Sequence, residues 1–202
     1  MRGLIRTISA AVVSALPAVW CAAAPAIGDA IPAGAVKMAN VDGRKLSISD
    51  VAGAHGTLVI FSCNHCPWVR AWEDRIIAEA SDAAARGIGV IAINSNDPAA
   101  YPGDSFAEMQ ARAKAKGYSF PYVMDATSEV GRAFGATHTP EVFLFDAHGK
   151  LAYHGAIDDN ARDAAKVSRH YLADAIDAVA AGKPPALPET KALGCSIQLR
   201  GK

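Results

Sequence analysis

The chain has 202 residues, 51% hydrophobic and 20% charged, which is enough apolar material for one core and the length of one domain. Twenty Lys and Arg balance twenty Asp and Glu. That balance excludes a global field able to recruit nucleic acid or an anionic membrane. At the start of the chain, Arg2 and Arg6 precede an uncharged Ala/Val/Leu-rich run through Pro17 to Ala24, the layout of a cleavable export signal. Small residues at Ala24 and Ala26 favour cleavage after Ala26, so residues 1–26 are read as signal and 27–202 as a periplasmic or secreted domain with no membrane span. Lipidation of Cys21 is disfavoured because Trp20 stands where that signal needs a small residue.

Three cysteines remain, Cys63, Cys66 and Cys195. In an oxidising compartment close cysteines either staple a small domain or exchange disulfides. A bridge between Cys63 and Cys66 would close a tiny loop and remove little unfolded-state entropy. Exchange chemistry is therefore the stronger reading of that pair.

In chain order, AVKMANV and RKLSI flank Asp42-Gly43 and predict an N-terminal hairpin. TLVIF over 57–61 predicts a central strand covered on both faces. Beyond Cys63-Asn64-His65-Cys66-Pro67, the spacing of Trp68, Trp72, Ile76 and Ala80 predicts a helix ending near Gly87. IGVIAIN over 88–94 is a second apolar strand, followed by a polar loop to Asp104 and a helix over FAEMQARAKAKG ending at Gly117. A short extended FPYVMD, a small helix at SEVGRAFG and a hairpin of EVFLFD with KLAYHG come next. Tyr171, Ala175, Ile176 and Val179 mark a last amphipathic helix, and from about Lys183 an extended tail carries Cys195. This order predicts an α/β domain with mixed strand directions and helices on both faces.

Pro67 fixes the chemistry of the cysteine turn. It disfavours the α region at Cys66 and suits the first helical position, so Cys66 becomes the N-cap. A thiolate there faces unpaired N–H groups and the positive end of the helix dipole, which lowers its pKa. Cys63 lies one turn earlier, ready to resolve an oxidised Cys66. A protonated His65 would favour the Cys66 thiolate over the disulfide, and Asn64 is a turn former. Asn94, Asn96 and Asp97 are read as loop caps, Asp158 and Asp159 as a solvated turn and helix cap, and Trp68 and Trp72 as core contacts, with Trp68 also close enough to Pro67 to rim the site. Cys195 is open between a further resolving thiol, an intermolecular partner and an inert cysteine. A zinc knuckle would need a second Cys or His pair at suitable spacing, and none is evident.

FSCNHCPWV, INSND, FPYVMD, HTPEVFLFD, GAIDDN and GCSI together resemble the thioredoxin superfamily, in its peroxiredoxin-like, redoxin-type branch. The resemblance spans nearly all of the chain after the signal. It implies a thioredoxin-like fold, a central mixed β-sheet flanked by helices with an N-terminal hairpin extension. It also implies that Pro140 is a cis-proline beside the cysteines, with Thr139 offering its backbone to an extended substrate. Set against true peroxiredoxins, Val59 stands where they have proline, Cys63 where they have threonine, and Pro140 near their arginine. That arginine and threonine polarise peroxide and are missing here, so the resemblance implies a thiol–disulfide oxidoreductase in which Cys66 attacks and Cys63 releases. It acts without a cofactor on protein thiols or disulfides. Two alternatives stand beside it: an antioxidant thiol peroxidase working through a Cys66 sulfenic acid, and a Sco-like Cu(I) chaperone binding through Cys63, Cys66 and His138.

Overall fold

A computed structural model describes residues 24–201. Most of the expected export signal, including Arg2, Arg6 and Cys21, lies outside the described residues. Among those described, no helix is long and apolar enough to cross a membrane.

Among the described residues, nine strands and four α-helices follow in the order β1 (Met38–Asn40), β2 (Lys45–Leu46), β3 (Gly56–Phe61), α1 (Pro67–Ala85), β4 (Ile88–Asn94), α2 (Phe106–Lys116), β5 (Tyr122–Met124), α3 (Glu129–Ala133), β6 (His138–Thr139), β7 (Glu141–Asp146), β8 (Leu151–Gly155), α4 (Tyr171–Ala180) and β9 (Cys195–Ser196). One section of the sheet runs β2-β1-β5-β4 and the other β3-β7-β8. The two meet where β3 lies against β4 and the Ser62 N–H donates to the Ile93 carbonyl at 2.9 Å. The sheet is mixed: β4 and β5 are parallel, whereas β3 with β7 and β7 with β8 are antiparallel.

The continuous apolar run of β3 is explained by its position. Leu58 and Ile60 pack on one face with Trp72 and Ile76 of α1, Met109 of α2 and Ile176 of α4. Val59 and Phe61 pack on the other with Phe134, Phe143 and Phe145. A strand covered on both faces has no polar side to show. The helices end where their sequences direct: α2 starts at Ser105, whose side chain accepts from the Glu108 N–H, and stops at Gly117 in the left-handed region.

Several expectations need correction. RKLSI is not one strand, because Asp50 accepts from both the N–H and the hydroxyl of Ser47 and turns residues 48–51 into a single 3-10 turn that buries Ile48. The N-terminal hairpin is present and extends the sheet itself. Its strand β1 pairs antiparallel with β5, and Asn40 accepts from the Tyr122 N–H. Asp158 is buried rather than solvated, accepting from Trp72 Nε1 at 2.8 Å and pairing with Arg75; Asp159 does form the exposed turn, bonded to Ser168. The tail is docked along its length. It follows β8 through His154 to Pro188 and Thr190, then pairs β9 with β6 in the register Thr139↔Cys195.

Candidate active site

Cys66 is extended, at φ −65° and ψ 123°, with Pro67 as the first residue of α1. The residue before a proline resists the α region, so the helix begins at Pro67. The Thr139–Pro140 peptide is cis and lies against the same turn. Cys63 Sγ is 3.1 Å from Thr139 Oγ1, and Cys66 Sγ is 3.1 Å from the Thr139 carbonyl. Cys63, Cys66, Thr139 and Pro140, which are far apart in sequence, thus converge.

A third sulfur joins them. Cys195 Sγ lies 2.6 Å from Cys66 Sγ. Cys63 and Cys66 are buried at 1% and 0% exposure, whereas Cys195 is half-buried and the most open of the three residues. The three thiols do not share one acidity. Cys66 is lowered to about 4, first because Cys63 donates to its thiolate, and further by Cys195 and the N–H groups of Val69 and Cys195, all against the opposing effect of burial. The same hydrogen bond, together with burial, pushes Cys63 far up. Burial and the neighbouring Cys66 raise Cys195 to about 11. The sulfur at the N-cap is the one that ionises.

His65 takes a different place from the one expected. Its Nδ1 is 2.7 Å from Asp104 Oδ2 and its ring stacks on Tyr101 at 4.0 Å between centroids. The acidity of Cys66 is set by the other thiols and by backbone N–H groups, and His65 anchors the turn.

The anchor, Asp104, was not singled out in the sequence. It is wholly buried, and its Oδ1 accepts from the N–H groups of Asn64 and His65 while its Oδ2 faces His65 and accepts from Asn96 Nδ2. Asn64 is correspondingly more than a turn former. Its amide donates to the Gly103 carbonyl and its oxygen accepts from Tyr122 OH. Asn96 does more than cap a loop, since its Oδ1 accepts from the Gln198 N–H of the tail. One hydrogen-bonded chain therefore links the tail, the loop after β4 and the cysteine turn. The polar run INSND and the later Pro102-Gly103-Asp104 carried the residues, but no spacing rule connects them.

Trp72 is core, and Trp68 packs on the cysteine cluster while lining a shallow cavity of about 290 Å³ with Pro67, Ala71, Ala161 and Arg162. The set Cys63, Cys66 and His138 does not gather as a metal site. His138 Nδ1 bonds Thr137 Oγ1 at 2.8 Å, and among the described residues the ligand atoms that come together are those of Cys63, His65 and Asp104, within 4.8 Å of one another. Both oxygens of Asp104 are already engaged by the turn, so a metal ion there would have to compete with four protein contacts.

No curated protein matches the chain. Among solved structures, a conserved protein of uncharacterised function from Geobacillus kaustophilus is 34% identical, with a TM-score of 0.82 over 88% of this chain and 94% of its own. A hypothetical protein from Sinorhizobium meliloti 1021 is 32% identical, with a TM-score of 0.81 over 89% of this chain and 98% of its own. A thiol:disulfide interchange protein of the thioredoxin family from Chlorobium tepidum TLS is 25% identical, with a TM-score of 0.52 over 65% of this chain and 87% of its own. The Redoxin family profile matches residues 26–169. With that match over most of its length and a thioredoxin-like fold around its cysteine turn, this oxidoreductase belongs to the Redoxin family.

Proposed function

We propose that the protein is a thiol–disulfide oxidoreductase whose Cys63/Cys66 pair takes two electrons from, or gives them to, protein thiols and disulfides. The observation that carries this reading is the division of labour between the two sulfurs. Cys66, at the helix N-cap, is held as a thiolate by the thiol of Cys63, and a low-pKa thiolate beside a second thiol is the minimum that disulfide exchange requires. A thiol:disulfide interchange protein among the structural neighbours supports it. Peroxide reduction is less well served, since Cys63 and Pro140 stand where true peroxiredoxins carry the threonine and arginine that polarise peroxide.

Exchange with hydroxyethyl disulfide tests the reading. Cys66→Ser is expected to fall to the uncatalysed background and Cys63→Ser to stall with Cys66 held in a disulfide that Cys63 can no longer resolve, each a loss of at least about 100-fold in turnover. Parent-like rates in both variants would sink it. The compartment is proposed from residues 1–26: the protein is exported and works in the periplasm or outside the cell. N-terminal sequencing of the mature protein is expected to begin at Ile27, and a retained Met1 in the native host would refute export by this signal.

A further inference from the structure

The paired cysteines are closed off by the chain's own tail. In the thioredoxin-like reading the backbone of Thr139 is kept for an extended substrate; here it is already paired, with Thr139 opposite Cys195 in the antiparallel β6–β9 ladder. The fit is built at several points. The Ile197 N–H donates to the Thr137 carbonyl at 2.9 Å, the Gln198 N–H to Asn96 Oδ1 at 2.8 Å, and Ile197 is buried in the core beneath the sheet. Gly194 is required for this approach, because a Cβ there would stand 2.2 Å from the Thr139 carbonyl oxygen and 2.7 Å from its carbon. A contact that close to backbone cannot be relieved by a side-chain rotation. The tail is thus shaped to set one sulfur, Cys195 Sγ, against Cys66 Sγ while leaving Cys195 partly open to solvent.

We propose that Cys195 is a third redox-active thiol, the outward-facing relay through which the buried Cys63/Cys66 pair exchanges electrons with its partners. The proposal rests on the oxidoreductase reading above and names the route. In the reducing direction, Cys195 as thiolate attacks a partner disulfide RSSR. A Cys195–SR bond forms, the RS–SR bond breaks, and the released RS⁻ takes up the proton that Cys195 gave up. The Cys66 thiolate then attacks the Cys195 sulfur, forming Cys66–Cys195 and expelling the second RS⁻. Cys63 finally attacks Cys66, forming Cys63–Cys66, and its proton returns Cys195 to the thiol. The net result is one disulfide reduced to two thiols and one cysteine pair oxidised, with no other reactant. Run backwards, the same steps oxidise a partner dithiol. In that direction the partner thiolate attacks the Cys195 sulfur of the Cys66–Cys195 bridge and displaces Cys66, the most acidic of the three thiols and so the best leaving group.

The test combines trapping with rates on the full chain. Reduced Cys63→Ser protein is treated with oxidised glutathione, quenched in acid, alkylated and mapped. The expected product is a Cys66–Cys195 disulfide, and accumulation of glutathione on Cys66 with Cys195 free would overturn the relay. In the Cys63→Ser background, Gly194→Ala is expected to lower the yield of the Cys66–Cys195 bridge, whereas an unchanged yield would show that tail docking does not set the pair. Cys195→Ser, which leaves the Cys63/Cys66 pair in place, is expected to slow exchange with hydroxyethyl disulfide by at least about tenfold, because a positioned thiol is replaced by an encounter from solution. A parent-like or faster rate would make the tail a plug and not a relay. If Cys66→Ser is inactive while Cys195→Ser is not slowed, the relay alone fails. If Cys66→Ser retains full activity, the oxidoreductase reading fails with it.

Discussion

Asp104→Ala is expected to destabilise the protein by about 3–5 kcal/mol, because it strands several donors of the turn at about 1–3 kcal/mol for each that is buried. The carboxylate is fully buried and satisfies the N–H groups of Asn64 and His65, His65 Nδ1 and the amide of Asn96. Alanine strands all four, and a buried donor left without a partner pays its full desolvation cost. Asp104→Asn keeps an acceptor and the volume, so its loss is expected to be smaller than that of Asp104→Ala. Denaturant unfolding of the reduced protein measures both. A change below about 1 kcal/mol for alanine, the level of an ordinary substitution, would mean that the cysteine turn is held by other contacts. The same variant should speed alkylation of Cys63 in the folded protein, because the turn that buries it is pinned to the loop after β4 mainly through this carboxylate.

The second large effect is a dependence of stability on pH that belongs to the reduced state. Cys66 is lowered to about 4 in the folded protein, whereas an unfolded thiol titrates near 8.5. A depressed acid contributes stability that is full above the unfolded pKa and is lost as pH falls through the folded one. Between about pH 4 and 8.5 the unfolded chain binds one more proton at this sulfur than the folded chain. Stability therefore rises with pH in that window, by up to about 1.4 kcal/mol per unit. The raised values of Cys63 and Cys195 do not offset this, since both groups are protonated in folded and unfolded states across most of the window. The difference in unfolding free energy between the reduced parent and Cys66→Ala should widen steadily from pH 5 to pH 8. A flat difference would show that Cys66 is not ionised in the fold.

The fold was legible in the sequence because its signals are local. Two apolar runs, the spacing of Trp68, Trp72 and Ile76, and the glycines at 87 and 117 mark elements whose patterns do not depend on what they pack against. The cysteine at the helix cap was legible for the same reason. Pro67 acts on Cys66 through one peptide bond, and the structure has Cys66 extended at the helix cap.

What the sequence alone determined about this protein, then, is the α/β order of its elements, the strand–turn–helix that carries Cys63 and Cys66, and the identity of the N-cap thiol. Tertiary structure decided the rest. It placed Asp104 beneath the turn across 39 residues, turned His65 away to that carboxylate, buried Asp158 under Trp72, and brought the tail back so that Cys195 meets a sulfur 129 residues earlier. These contacts join groups whose separation along the chain has no period, and only the packing of the sheet brings their loops to one edge. The cap sets Cys66 at the helix N-terminus, and the docked tail sets a third, half-buried cysteine against it.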